Sequence, residues 1–184
     1  MATTTAVEQL TTTEAAVLAL LAIEGERSAY DLTKLVSQAI AHVWSPARSG
    51  LYAVLPRLER DGLAKRRVVS QSSRPDKQLY RATRAGRQAL DGWLETVEPG
   101  ARENFFLKLF VGGLTEPEVL LEHVAQFCSD TEERLERFRA IEPTNSNRGH
   151  DWFHRHLLRL GIESAEHELA WAQGVERALK RGPR

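Results

Sequence analysis

The stretch from Ser45 to Gly62, SPARSGLYAVLPRLERDG, carries the residues best suited to chemistry on a polar partner. Arg48, Ser49, Gly50 and Tyr52 combine a fork-shaped donor, a hydroxyl, a small residue and a phenol at the start of a helical pattern. A helix that enters the major groove of DNA needs small and hydrogen-bonding residues at that end, because only that end reaches the base edges. Arg57 and Arg60 lie further along, where phosphate is the natural partner. A second cationic set follows in Lys65, Arg66, Arg67, Arg74 and Lys77. Each cation placed on a phosphate releases counterions and adds about 0.9 to the salt slope. From Arg48 to Arg87 there are eleven cations against three anions, Glu59, Asp61 and Asp76, a local excess of eight in a chain whose formal net charge is zero.

The elements that must position these residues follow from periodicity. Thr11 and Glu14 form a capping box before Val17, Leu18, Leu21 and Ala22, which recur on one helical face until Gly25. Ser28 and Asp31 open a second helix with Leu32, Leu35, Val36, Ile40 and Val43 inward, and with Tyr30 and Lys34 as further candidates for phosphate contact. Tyr30 has an alternative role as a packing residue with its hydroxyl at the rim. Ser45 as N-cap and Pro46 at the first position open a third helix, which Gly62 ends. The period then changes. Two short alternating runs, Ala64 to Ser70 and Lys77 to Arg81, flank a polar turn containing Pro75 and read as a β-hairpin. Thr83 caps a fourth helix reaching about Glu98. Three helices, a basic hairpin and another helix make a winged helix-turn-helix domain over residues 11–98, after a disordered lead-in at 1–10.

Pro99-Gly100 marks the boundary of a second, α-helical domain over 101–181. It begins with a short apolar helix from Phe105 to Phe110. Thr115 and Glu118 suggest a capping box for a long helix bearing Leu120, Val124, Phe127, Thr131, Leu135 and Phe138. A last helix from about Asp151 carries Leu158, Ile162, Ala165, Leu169, Ala172 and Leu179. Two long amphipathic helices cannot easily bury both stripes alone, so docking against a second copy is expected. The fold class is therefore mainly α, with one small hairpin.

At this point the ordered set Leu10-Thr11, Glu14, Leu18, Tyr30-Asp31-Leu32, Trp44, Gly50-Leu51-Tyr52, Leu55, Arg57-Leu58-Glu59, Asp61-Gly62-Leu63, Tyr80 and Thr83-Arg84-Ala85-Gly86 resembles the PadR family of bacterial regulators. Phe106 to Phe110, and Gly161-Ile162 leading to Trp171, are similar to its longer subfamily with an AphA-like C-terminal domain. The resemblance implies a homodimer joined by C-terminal helices, a DNA-binding wing domain, and transcriptional repression relieved by a small aromatic or lipophilic effector. It places Tyr30 at the family's second-helix tyrosine, Arg48, Ser49 and Tyr52 on the recognition helix, and Arg74 to Lys77 at the wing tip. Ala29 stands where the family usually has Gly, and Ser49-Gly50 where it more often has Gly-Ser.

Phe105, Phe106, Phe110, Trp152, Phe153 and Trp171, with Trp93, could line an effector cavity between the domains, with Arg155 or His156 as anchor for an acidic group. The alternative is ordinary dimer core. His150 and His154 have metal-ligand spacing but lack the Glu of a metalloprotease motif, and no cofactor or metal is expected. No nucleophile elbow, phosphate loop or carboxylate pair suggests an enzyme. The lone Cys128 and the lack of an apolar run near 20 residues suit a cytoplasmic, non-membrane protein. A winged-helix interaction adaptor that does not read DNA is the competing reading.

Overall fold

The computed structural model describes residues 10–39, 48–70, 76–141 and 150–182, with the side chains of 38, 39, 48, 49, 150 and 151 outside that description. Two compact units divide the chain: Met1–Thr96 with Phe106–Thr115, and Val97–Phe105 with Glu116–Arg184.

In the first unit, α1 (Thr12–Glu24) starts on the expected capping box. The Thr11 hydroxyl accepts the Glu14 N–H at 3.3 Å, and the Glu14 carboxylate accepts the Thr11 N–H at 2.9 Å. Gly25, at φ +74°, ends it. The single apolar face read from the sequence understates this helix, since every residue from Ala15 to Leu21 is buried. A helix apolar all round belongs at the centre of its unit. Helices α3 (Arg48–Arg60) and α4 (Arg84–Glu95) and strand β2 (Lys77–Ala82) pack around it.

Helix α2 (Ala29–Ala39) begins at a second reciprocal cap: the Ser28 hydroxyl accepts the Asp31 N–H at 3.3 Å, and Asp31 accepts the Ser28 N–H at 3.1 Å. On α3, Leu51, Val54, Leu55 and Leu58 are buried while Tyr52, Ala53, Pro56 and Arg57 face out. Pro56 stands inside the helix on that outer side, where the carbonyl it leaves without a helical donor can meet water. Gly62, at φ +73°, closes α3, with the Leu63 N–H donating to the Leu58 carbonyl at 2.8 Å. Strand β1 (Ala64–Val69) then pairs antiparallel with β2, from Ala64 opposite Ala82 to Val69 opposite Lys77. A two-stranded hairpin is marginal by itself. Here Arg27 adds a third lane by exchanging both backbone bonds with Tyr80, at 2.9 and 2.8 Å.

Thr83 caps α4 through the Gly86 N–H at 3.0 Å and donates its hydroxyl to the Gly62 carbonyl at 2.7 Å. Gly86 is required by proximity: a Cβ there would lie 2.1 Å from the Leu63 carbonyl oxygen. Leu90, Trp93 and Leu94 complete the core, joined by Leu107 and Val111.

The second unit is built on α6 (Pro117–Arg139) and α7 (His150–Arg181), with α5 (Arg102–Phe110) crossing the division between units. The expected Thr115–Glu118 capping box does not form. Pro117 takes the first helical position, which moves the N-cap to Glu116, and no side chain caps the helix. Leu120, Val124, Phe127, Thr131 and Leu135 are buried as a stripe. The two helices run antiparallel, with Phe138 against Gly161, Arg134 on Glu168 at 2.5 Å and Phe127 against Trp171 at 6.3 Å between ring centroids. The first ten or so residues of α7 therefore run past the end of α6 by about 15 Å, and they leave Phe153, Leu157 and Leu160 exposed. Among the described residues no helix is long and apolar enough to cross a membrane.

Candidate nucleic-acid interface

The first unit brings the N-terminus of α2, the outer side of α3 and the hairpin into one compact unit. Tyr30 is 69% exposed on α2 and Tyr52 is 50% exposed on α3, so neither is spent on the core. Lys34 is exposed one turn beyond Tyr30, and Gly50 has open space around its Cα. Arg48 and Ser49 begin α3, but their side chains lie outside the described residues, as do Trp44, the Ser45-Pro46 start and Arg74.

The electrostatics correct the sequence-based count of cations. Three carboxylates from outside the Arg48–Arg87 window fold onto it. Glu14 meets Arg57 at 3.0 Å, Glu26 meets Arg67 at 2.5 Å, and Asp31 meets Lys77 at 3.0 Å. Within the window, Glu59 holds Arg66 at 3.2 Å and Asp61 holds Arg60 at 2.9 Å. The excess of eight is thus a property of the linear sequence, and tertiary contacts neutralise part of it. Among the described residues Lys34 and Lys65 make no ion pair. Hydrogen bonding from the Ser28 hydroxyl, assisted by Lys77, holds the Asp31 carboxyl down at about 2. The Arg67 guanidinium likewise lowers the Glu26 carboxyl. Both acids are ionised throughout the physiological range.

The aromatic residues proposed for an effector fall in both units. In the first unit Trp93 is buried, Phe106 is half-buried and Phe110 is partly exposed. In the second, Trp171 packs edge-on against Phe105 and Phe127, which stack on each other at 4.2 Å. Trp152 instead stands near the start of α7, against Phe153 and His156, with Arg155 half-buried beside it. Nineteen positions on one helix separate Trp152 from Trp171, about 28 Å along its axis. Within one protomer these two rings cannot line a single small cavity.

Sequence reasoning missed Lys108. It is 1% exposed, donates to the Thr96 carbonyl at the end of α4, and lies 4.6 Å from the centre of the Trp93 ring. A cation at a helix C-terminus and over an indole face is favourable on both counts. The available signal was a single lysine inside an apolar run, Phe105 to Phe110. Burial pushes the half-buried Cys128 thiol up, which disfavours the reactive thiolate. Burial also pushes the Glu168 carboxyl up, but Arg102 and Arg134 outweigh it and the net shift is downward.

Residues 17–92 match the Transcriptional regulator PadR-like family, and residues 101–180 match the Virulence activator alpha C-term family. The chain is 26% identical over 170 residues to the negative transcriptional regulator PadR of Bacillus subtilis, covering 87% of this chain and 93% of that protein. It is 26% identical over 174 residues to a probable transcriptional regulator of Mycobacterium tuberculosis, covering 85% and 92%. The crystal structure of Bacillus subtilis PadR in complex with operator DNA has 22% identity and a TM-score of 0.46, covering 90% of this chain and 98% of that one. The structure of the same protein in complex with p-coumaric acid has 20% identity and a TM-score of 0.38, covering 91% and 98%.

Proposed function

The chain belongs to the PadR-like family of transcriptional regulators, with a virulence-activator-type C-terminal half, and from that premise we propose that it is a cytoplasmic, dimeric DNA-binding repressor. The observation that carries this reading is the outward side of α3. Its inner face is fixed by four buried apolar residues, and its outer face offers Tyr52 and Arg57 beside Gly50 and the exposed Tyr30 of α2. In this reading Arg48, Ser49, Gly50 and Tyr52 meet base edges. Tyr30, Lys34, Arg57, Lys65, Arg67, Arg74 and Lys77 meet the phosphate backbone.

Dimerisation is assigned to the C-terminal helices. The overhanging turns of α7 expose Leu157 and Leu160 together with Trp152 and Phe153, an apolar set that a second copy would cover. Two recognition helices related by a two-fold axis then address half-sites about 34 Å apart. An aromatic or lipophilic effector acts by preferring the dimer geometry that does not fit the operator, since equal affinity for both geometries shifts nothing. Trp93, Phe106, Phe110, Trp152, Arg155 and Trp171 remain the candidates for its contacts. Because Trp152 and Trp171 are far apart in one protomer, they serve a common ligand only if one of them comes from the partner.

Footprinting on the DNA upstream of the chain's own gene tests the assignment. The expected result is a protected, two-fold symmetric segment, lost with Arg48→Ala; uniform accessibility with the wild-type chain overturns it. The adaptor reading draws on the internal pairing of Arg57, Arg67 and Lys77, and predicts equal binding to every duplex.

A further inference from the structure

The hairpin register puts Lys65 opposite Arg81, Arg67 opposite Leu79, and Val69 opposite Lys77. Residues directly opposite in an antiparallel pair share a face, and alternate residues return to it. Lys65, Arg67, Lys77 and Arg81 therefore project from one face of the hairpin. The turn between α1 and α2 runs along the edge of β2, fixed there by the two Arg27–Tyr80 backbone bonds. This placement brings Glu26 to the cationic face, where its two oxygens accept from Arg67 Nε at 3.2 Å and Nη2 at 2.5 Å. Arg81 adds further attraction to the same carboxylate. Asp31 approaches the other end of that face and accepts from Lys77. The Ser28 hydroxyl and N–H bond the same Asp31 oxygen, at 2.7 and 3.1 Å, so the carboxylate is held in place.

We infer that Glu26 and Asp31 are a built-in electrostatic attenuator of DNA binding: fixed carboxylates that occupy Arg67 and Lys77 as phosphates would, and so limit the affinity of the wing. The inference rests on the nucleic-acid reading above. A cation that arrives at a duplex with its own carboxylate brings no net charge to the phosphates and releases no counterion. It adds nothing to the salt-dependent part of the affinity. The two acids weaken operator and non-operator binding together, whichever sequence α3 meets. A regulator that must let go of its operator gains from this restraint, because a ligand shifts an equilibrium only by its differential affinity for the two states.

Anisotropy titration of an operator duplex and a scrambled duplex, over a range of salt, tests the attenuator with Glu26→Gln, Asp31→Asn and the double variant. Both changes keep the side-chain shape and a hydrogen-bond acceptor, so an amide oxygen at position 31 can still accept the Ser28 N–H. The log affinity against log salt should steepen by about 0.9 for each single variant and about 1.8 for the double, on both duplexes. At 0.1 M salt this is a gain of about eightfold per released cation relative to a 1 M reference. The charge-balanced pairs E26Q/R67Q and D31N/K77Q should return to the wild-type slope. Slopes equal to wild type in the single variants, or no return in the balanced pairs, overturn the attenuator. The nucleic-acid reading is judged separately, by whether the wild-type chain prefers operator to scrambled duplex; the change in slope on the scrambled duplex needs no such preference.

Discussion

Gly86→Ala should destabilise the protein although alanine is the better helix former. The position is the third of α4, and a Cβ there would lie 2.1 Å from the Leu63 carbonyl oxygen and 3.1 Å from Leu18 Cδ2. Ordinary contact begins near 3.4 Å, so the helix must retreat by about 1 Å from the end of α3. That carbonyl also accepts the Thr83 N–H at 3.0 Å, and the Thr83 hydroxyl caps the Gly86 N–H. Retreat therefore strains the cap as well as the core. Overpacking costs about 1–3 kcal/mol, and loss of an N-cap about 1 kcal/mol. Helix propensity offsets this by about 0.8–1.0 kcal/mol, leaving a net loss of about 1–3 kcal/mol. For a chain of this length that is about 2–12 °C in Tm. Gly92 supplies the control within the same helix, since a Cβ there meets nothing within 4 Å. Gly92→Ala should raise stability by up to about 1 kcal/mol. Urea denaturation followed by circular dichroism measures both, and equal stability of the two variants would refute the close-approach argument.

Asp31→Asn gives a pH test. The Asp31 carboxyl is held at about 2 in the folded chain against a usual 3.8, a depressed value, so its contribution is present above the unfolded pKa and lost as pH falls through the folded one. Urea midpoints of wild type and variant should converge between about pH 4 and 2; parallel curves would show that the carboxylate has no such linkage. Phe127→Ala removes a buried ring stacked on Phe105 and should cost about 3–5 kcal/mol, with a change in Trp171 emission; an unshifted urea midpoint would contradict the aromatic cluster. Replacing Leu157 and Leu160 together by Glu should leave helicity intact and weaken self-association. At about 1.5–3 kcal/mol per buried leucine, the dimer dissociation constant rises at least about 100-fold. Light scattering that shows an unchanged dimer would place the interface elsewhere.

Local chemistry was the part of the fold most legible in the sequence. Both caps, Thr11 with Glu14 and Ser28 with Asp31, and the stops at Gly25 and Gly62, are relations within a few residues, and they form as read. The change of period at Ala64 gave the hairpin for the same reason. The Thr115 cap does not form because Pro117 takes the first helical position, a preference equally visible in the sequence. What depends on tertiary contact was not legible. All-round burial of α1 needs neighbours on every side, which periodicity along one helix does not report. The partners of Arg57, Arg67 and Lys77 lie between 41 and 46 positions away in sequence, so a count of charges in a window could not see them. The partners of Lys108, an indole on α4 and the carbonyl that follows that helix, are likewise tertiary and leave no trace in the local pattern.

Fluorescence-anisotropy titration of DNA from the chain's own upstream region, against a scrambled duplex at two salt concentrations, tests the central claim most directly. A dimeric operator reader should bind its own duplex tightly, prefer it clearly over the scrambled one, and weaken as salt rises. Weak binding, equal for the two duplexes and indifferent to salt, would contradict the account.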